Sequence, residues 1–249
     1  MASTSETTFG NRLEHGRTLN EALGKIAGYK PDNNTLSVDS FRLFLATVEG
    51  GNDNVAGDGQ TLSEARKGRR LAYFGDAKQG VAGLSTLAGR VRDYVGAMTG
   101  GKKSPSYPRI QKLTQKISNY RPPKKPVSTS PGETTTEKKK VSQSEASYGS
   151  LVQQGRDLAA AVAKVAGYNP NSGDLTPAAL TAAMKTLSDQ NKAVADALID
   201  ASTSIDKRSK LYDDPQSGLK ALFQQAKAAV GSQFGRRSAE YASVSAIRY

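Results

Sequence analysis

The chain contains the same short segment twice, and this repetition constrains its fold more than any other feature. Residues 25–31 read Lys-Ile-Ala-Gly-Tyr-Lys-Pro, and residues 164–170 read Lys-Val-Ala-Gly-Tyr-Asn-Pro. The same spacing of 139 residues relates further pairs of identical or similar residues: Phe9 and Tyr148, Gly16 and Gly155, Leu36 and Leu175, Asn52 and Asn191, Arg69 and Arg208, Tyr73 and Tyr212, Val91 and Val230, and Gly96 and Gly235. A repeat of roughly 100 residues indicates a tandem duplication.

Hydrophobic residues recur every three or four positions in each copy, which is the spacing of amphipathic α-helices. The first predicted helix covers about residues 9–28, and its counterpart in the second copy begins near Tyr148. Gly28 and Pro31 mark the end of the helix, because glycine tolerates the left-handed conformation and proline cannot continue a helix. A second predicted helix follows, with Phe41, Leu45 and Val48 in one copy and Leu180, Met184 and Leu187 in the other.

A third helix is predicted over about 54–74 and, in the second copy, over 191–212, with Leu198 and Ile205 among its apolar residues. The fourth helix is predicted to start after Pro215, and Val81 belongs to its counterpart. Each copy then closes with a short amphipathic segment. The two closing segments, 104–107 and 238–241, match once a five-residue insertion near 97–103 is allowed.

Four amphipathic helices with short connections favour an up-down bundle. The predicted fold is therefore all-α, a tandem duplication of a four-helix bundle in which each copy is closed by a short C-terminal segment. The predicted domains are a first bundle over 1–118 and a second over 148–249. Residues 119–147 are rich in Pro, Ser, Thr and Lys, a composition that predicts a flexible linker.

Composition excludes several classes of function. The sequence contains no cysteine, so disulfides, thiolate metal sites and cysteine nucleophiles are ruled out. No apolar run approaches the roughly 20 residues that a membrane span needs. The N-terminus lacks the basic and apolar regions of a cleavable signal peptide. These features predict a cytoplasmic protein, although export by another route stays open.

Two near-matches to ligand loops fail in detail. Residues 96–104 resemble a phosphate-binding loop, but Lys103 stands where the motif needs Ser or Thr. Residues 53–64 have the acidic ends of a calcium loop, but Val55 and Asp58 replace an oxygen ligand and the central glycine. His15 is the only histidine. We therefore assign no catalytic, cofactor-binding or metal-binding residue, expect no cofactor and predict that the protein is not an enzyme.

Some polar residues are duplicated, and two interpretations of them remain open. They are Tyr29 and Tyr168, Arg69 and Arg208, and Tyr73 and Tyr212. In one interpretation the tyrosine rings cap the end of each bundle core while the arginine stems pack along them, with a cation–π contact. In the other, the same residues form a small ligand or partner site that is repeated in each bundle.

The net charge of +12 is spread along the whole chain. Nucleic-acid binders usually concentrate basic residues on one face. Local basic clusters nevertheless give candidate nucleic-acid contacts: Arg66, Lys67, Arg70, Lys102, Lys103, Arg236 and Arg237.

The layout of the chain resembles that of uncharacterised bacterial proteins built of one or two four-helix units. Those proteins carry a Gly-Tyr-Asn-Pro turn and a Phe-Gly-x-x-Ser-x-Glu-Tyr segment followed by Ile-Arg and an aromatic residue. In this chain the corresponding residues are 167–170, 234–241 and 247–249. The first copy departs at its end, where Ser-Pro-Ser-Tyr-Pro stands in place of Ser-Ala-Glu-Tyr. The resemblance implies a helical bundle and no particular function.

The sequence predicts a non-enzymatic structural or scaffolding protein that uses duplicated helical surfaces for protein–protein contact or self-assembly. Tandem copies supply two similar surfaces, and bivalency raises avidity without new chemistry. The alternative is a basic protein that binds nucleic acid independently of its sequence. Salt separates these hypotheses, because affinity for nucleic acid falls steeply with salt whereas apolar contact does not.

Overall fold

The structure is a computed structural model, and it describes residues 4–98, 100–118 and 147–249. The described residues form eight α-helices and one two-stranded antiparallel sheet, which confirms the predicted all-α class. The helices are α1 (Thr4–Lys25), α2 (Val38–Phe74), α3 (Leu84–Ala97), α4 (Tyr107–Ser118), α5 (Tyr148–Val162), α6 (Pro177–Asp213), α7 (Leu219–Phe234) and α8 (Ala239–Ser245). The strands are β1 (Gly75–Asp76) and β2 (Val81–Ala82).

Helices α2 and α6 are each 37 residues long, and each contains two helices that the sequence analysis had separated. The predicted breaks, near 49–53 and 188–190, lie inside continuous helix. In α6 the reason is a stripe of buried side chains that continues through the expected break. Its members are Leu180, Met184, Leu187, Val194 and Ala201. Because their spacing keeps one helix face, the helix has no reason to end between them.

The chain divides into two compact units. Unit 1 consists of Met1–Leu62 and Ala197–Tyr249, and unit 2 consists of Ser63–Asp196. Each unit thus combines helices from both sequence copies, whereas the predicted domains, 1–118 and 148–249, assigned one bundle to each copy. The difference arises because α2 and α6 each contribute residues to both units. The predicted linker, 119–147, lies outside the described residues except for Ser147, which caps α5.

Each unit has its own apolar core. The core of unit 1 is formed by α1, the first part of α2, α7 and α8, with Leu19, Leu23, Phe41, Phe223 and Val244 fully enclosed. The core of unit 2 is formed by α3, α4, α5 and the first part of α6. Its members include Leu84, Val91, Ile110, Leu158 and Leu180.

Glycines at equivalent positions allow the close approach of two helices in each unit. A Cβ atom on Gly16 would lie 2.7 Å from Leu45 Cδ2, and one on Gly155 would overlap Met184 Sδ. A larger side chain would therefore displace its neighbour in either unit.

The β1–β2 hairpin corrects the alignment of the two copies. Gly83 and Gly218 directly precede α3 and α7, so these helices correspond with a spacing of 135 residues rather than 139. The predicted pairings of Val91 with Val230 and of Gly96 with Gly235 are therefore wrong, and Val81 lies in β2 rather than in a helix. The tyrosine contacts agree with the new spacing, because Tyr107 packs on Gly96 and Tyr241 packs on Gly231. Most of the insertion that was predicted near 97–103 of the first copy therefore lies in the β1–β2 hairpin instead.

Candidate functional site

The duplicated Arg and Tyr residues of the second copy form a cluster in unit 1 with an aromatic ring from the first copy. Arg208 and Tyr212 lie one turn apart on α6. Phe9 projects from α1, with its ring centroid 4.7 Å from that of Tyr212 and 4.3 Å from Arg208 Cζ. Arg208 is only 8% exposed and Tyr212 is fully buried. The arginine is therefore covered by an aromatic face, as in a cation–π contact.

Unit 2 contains an equivalent cluster, in which the Arg–Tyr pair comes from the first copy and the covering ring comes from the second. Arg69 and Tyr73 come from α2, in the first copy, and Tyr148 comes from α5, in the second. Arg69 Cζ lies 4.1 Å from the Tyr148 ring centroid, and the rings of Tyr73 and Tyr148 meet edge to face at 6.1 Å. Each cluster is thus completed only by a helix from the other copy.

Hydrogen bonds fix the tyrosine of each cluster. In unit 1 the Tyr212 hydroxyl donates to the Phe9 carbonyl oxygen at 2.9 Å and accepts from Asn52 Nδ2 at 2.9 Å. In unit 2 the Tyr73 hydroxyl donates to the Ile117 carbonyl oxygen. Burial raises the pKa of Tyr73 to about 12 and also raises the pKa of Tyr212. Both phenols are therefore neutral near pH 7 and serve as hydrogen-bond donors.

Sequence reasoning found the Arg–Tyr pairs but missed the aromatic residue that covers each arginine. The available signal was the pair Phe9 and Tyr148, which are both aromatic and stand at the same place in the two copies. It also missed Asn52 and Asn191. Asn191 Nδ2 donates to the Tyr148 carbonyl oxygen at 3.2 Å. Both asparagines therefore donate from Nδ2 to a member of their cluster, Asn52 to a hydroxyl and Asn191 to a carbonyl oxygen.

Arg12 belongs to the unit 1 cluster and has no basic counterpart in unit 2. Its guanidinium lies 4.9 Å from the Tyr212 ring centroid and 4.6 Å from that of Tyr249, and it pairs with Asp213 at 2.5 Å. The equivalent residue of the second copy is Leu151, which is buried in the unit 2 core. This additional cation was not predicted, because a residue present in one copy alone leaves no mark in a comparison of the copies.

Tyr29 and Tyr168 lie apart from these clusters and close the turn after the first helix of each copy. The Tyr29 hydroxyl donates to the Leu36 carbonyl oxygen at 3.1 Å, and that of Tyr168 donates to the Leu175 carbonyl oxygen at 2.7 Å. Burial raises the pKa of both to about 12. The preceding glycines, Gly28 and Gly167, have φ of 79° and 74°, so the turn needs a residue without a side chain.

The predicted basic contacts are all exposed. Lys102 and Lys103, in the short turn Gly101–Lys103, belong to unit 2 together with Arg66, Lys67 and Arg70 on α2; Arg236 and Arg237 belong to unit 1. Within the described residues, none of the seven forms a salt bridge. The three residues on α2 occupy just over one turn, and Arg70 also lies 5.9 Å from the ring centroid of Phe74.

A group of exposed apolar side chains on α6 was also missed. Leu198, Ile199 and Ile205 belong to unit 1 and are 51%, 64% and 46% exposed. We call these three residues the α6 apolar surface. Leu198 and Ile205, which are two turns apart, were predicted to lie among the apolar residues of the third helix. Both are exposed, because the buried face of α6 passes through Val194, Ala201 and Arg208 instead.

An open groove of about 1000 Å³ lies in unit 1. Phe44, Leu211 and Leu222 supply its apolar wall, and its charged lining residues are Lys207, Lys210 and Asp214. At the corresponding place in unit 2, Arg90 on α3 donates to Asp174 and to Ser172 Oγ at 2.9 Å.

The bonds from Ser172 and Arg90 lower the pKa of Asp174. In unit 1, Gln225 stands in the place of Arg90, and Thr35 and Asn33 stand in the places of Asp174 and Ser172. None of the three is charged, so this ionic bridge cannot form in unit 1.

Among the described residues, no helix is long and apolar enough to cross a membrane. That part of the chain also holds no group of three or more His, Cys, Asp or Glu residues that could bind a metal ion. In comparisons with known proteins, no family model matches this chain, and neither a curated protein nor a solved structure matches it.

Proposed function

We propose that this protein is a tandem duplication of an up-down four-helix bundle and that it is a non-enzymatic structural or scaffolding protein. It acts through helical surfaces that contact a protein partner or other copies of the chain. The observation that carries the proposal is the α6 apolar surface, with three exposed branched side chains within eight residues. Single exposed apolar residues are common, but Leu198 and Ile205 are two turns apart and therefore share one face of α6, and we propose that face as the centre of the contact surface.

Comparison of the two copies supports a role in contact rather than in folding. The residues 139 positions before Leu198, Ile199 and Ile205 are Gly59, Gln60 and Arg66. These are exposed as well. Since the equivalent positions of the first copy are glycine or polar, the helix itself does not require large apolar side chains there.

The energy available from this surface is appreciable. Full burial of a Leu or Ile side chain contributes about 1.5–3 kcal/mol. These three side chains are already partly covered, so the gain on association is a fraction of that per residue. The net charge of +12 opposes contact between two copies at low salt. Self-association through this surface should therefore strengthen as salt screens the charge.

The duplicated clusters support the same proposal in a different way. Arg69, Arg208, Tyr73 and Tyr212 are engaged with rings and carbonyl groups inside their own units. Tyrosines whose pKa is raised by burial are poor proton acceptors at neutral pH. These residues are thus suited to holding helices together rather than to acid–base chemistry.

The test is a Leu198→Ser and Ile205→Ser double variant, followed by light scattering coupled to size exclusion at low and high salt. Both side chains are about half exposed, so the fold should tolerate the change. We expect the wild type to associate and the variant to remain monomeric. Val81→Ser is the matched control, because Val81 is 45% exposed but belongs to unit 2. Unchanged association in the double variant would contradict the proposal.

The second candidate is sequence-independent nucleic-acid binding, and the observation that favours it is the exposed group Arg66, Lys67 and Arg70 on α2. Its test is an Arg66→Ala, Lys67→Ala and Arg70→Ala variant, with binding to a single-stranded oligonucleotide measured across a salt series. The control is Lys185→Ala with Lys192→Ala, which removes lysines that already pair with aspartates. Affinity that is equal in both variants, or insensitive to salt, rejects this function.

A further inference from the structure

We propose that a second copy of this chain completes unit 1 in trans. Residues 1–62 of one chain pack with residues 197–249 of its partner, and the reciprocal pair forms a second unit of the same kind. The inference names the partner and the contact for the self-assembly proposed above, and it rests on that proposal.

The first reason is the composition of unit 1. Its two segments are joined along the chain only through unit 2, which consists of Ser63–Asp196. The core needs both segments, since Leu19, Leu23 and Phe41 come from one and Leu219 and Phe223 come from the other. Every contact of this core would be the same if the two segments came from different chains. Exchange of identical elements is a low-cost route to dimers for this reason.

Polar contacts between the segments make the pairing specific. Arg12 pairs with Asp213 at 2.5 Å, and Asn52 Nδ2 donates to the Tyr212 hydroxyl at 2.9 Å. The backbone N–H of Lys30 donates to Gln233 Oε1 at 3.0 Å. These contacts would recur in the unit formed by two chains, so the exchanged dimer has one defined register.

The second reason is the composition of α2. Gly50, Gly57 and Gly59 lie inside this helix, and a Cβ atom on any of them would have no neighbour within 4 Å. No close approach therefore requires glycine there. Helix-interior glycine is destabilising by roughly 0.5–1 kcal/mol relative to alanine. Helix α6 contains no glycine. The connection from the first segment of unit 1 to unit 2 is thus the weaker of the two, and opening at Gly57 and Gly59 releases the first segment up to about residue 56, including Asn52.

Closure within one chain is favoured by the high effective concentration of tethered segments. Exchange should therefore grow with protein concentration and be trapped by refolding. The absence of cysteine from the sequence makes a direct test possible. One chain carries Lys30→Cys and a second, longer tagged chain carries Gln233→Cys; both residues are exposed and lie together in unit 1.

The two chains are mixed in urea, refolded at low and high concentration, and treated with a short bismaleimide. We expect a covalent heterodimer on a denaturing gel, in several-fold excess over the control and increasing with concentration. The control replaces the second cysteine with Lys185→Cys, an exposed position in unit 2. A heterodimer yield for the 30–233 pair that never exceeds that of the control overturns the exchange.

The outcome also separates this inference from the function on which it rests. Association that depends on Leu198 and Ile205 without 30–233 cross-linking between chains leaves the proposed function standing and rejects exchange. Cross-linking that persists in the Leu198→Ser and Ile205→Ser background supports exchange and removes the α6 apolar surface from the assembly.

Discussion

Units 1 and 2 contain the same cluster of an arginine, a tyrosine and an aromatic ring, but they differ in what surrounds it. In unit 1, Arg12 adds a second cation and binds both Tyr212 and Tyr249. In unit 2 its place is taken by Leu151, which is buried in the core. Both units therefore share the first arginine, whereas the second position holds a cation in unit 1 and an apolar side chain in unit 2.

The units also differ at a second place, which lies beside α3 in unit 2 and beside α7 in unit 1. Unit 2 is bridged there by Arg90, Asp174 and Ser172, whereas unit 1 has an open groove. Unit 1 also contains the glycine-rich part of α2, and unit 2 contains the equivalent part of α6, which has no glycine. Both differences predict that unit 1 is the less stable of the two.

The largest expected effect comes from removing the buried tyrosine of one cluster. We expect Tyr212→Ala to lower the free energy of unfolding of unit 1 by about 3–5 kcal/mol, because it leaves a cavity and two unpaired polar groups. Tyr73→Ala should do the same in unit 2. Hydrogen exchange by mass spectrometry measures this, since peptides from 9–25 and 219–234 should lose protection together in Tyr212→Ala.

Phe74→Ala is the control for this pair, because Phe74 contacts Tyr73 but is 39% exposed. It should cost clearly less than Tyr73→Ala. If Tyr212→Ala instead removed protection from all of 148–249 and spared 9–25, the division into units 1 and 2 would be contradicted.

A smaller effect is expected from the glycines of α2. Gly57→Ala should stabilise unit 1 by roughly 0.5–1 kcal/mol, because alanine favours the helix and its methyl group meets no neighbour. Gly51→Ala is the matched control, since its Cβ atom would lie 2.7 Å from Leu211 Cδ1. Urea unfolding monitored by circular dichroism compares the two variants. An equal gain from both would show that the helical contact at Gly51 is loose.

The smallest effect should come from the bridge in unit 2. Arg90→Gln makes this site resemble unit 1, and we expect a loss of at most about 1 kcal/mol, because both partners are partly exposed. The bonds to Asp174 lower its pKa, so their contribution should be present above its unfolded pKa and lost as the pH falls through the folded value. Urea titrations at neutral and acidic pH measure this. An acid dependence that is unchanged in Arg90→Gln would exclude the bridge as its cause.

The candidate site was only partly predictable from the sequence, because the comparison of the two copies detects only what both contain. Arg69, Tyr73, Arg208 and Tyr212 were visible because they recur at a fixed spacing. Features found in one copy alone, such as Arg12 and the α6 apolar surface, leave no trace in such a comparison. The exposure of Leu198 and Ile205 could not be read from periodicity, because both positions fit the edge of the apolar stripe of α6.

The sequence by itself determined the helical class, the repeated turn at Gly28 and Gly167, and the Arg–Tyr pairs that both copies carry. These are local properties, since they depend on side-chain spacing and on backbone conformations that only glycine adopts readily. The tertiary structure decided which helices share a core. Phe9 could pack on Tyr73 of its own copy or on Tyr212 of the other copy, and the sequence cannot choose between these two pairings because both partners are tyrosines. The choice between them depends on whether α2 and α6 continue through their centres, and that follows from burial along the whole helix rather than from any single turn signal.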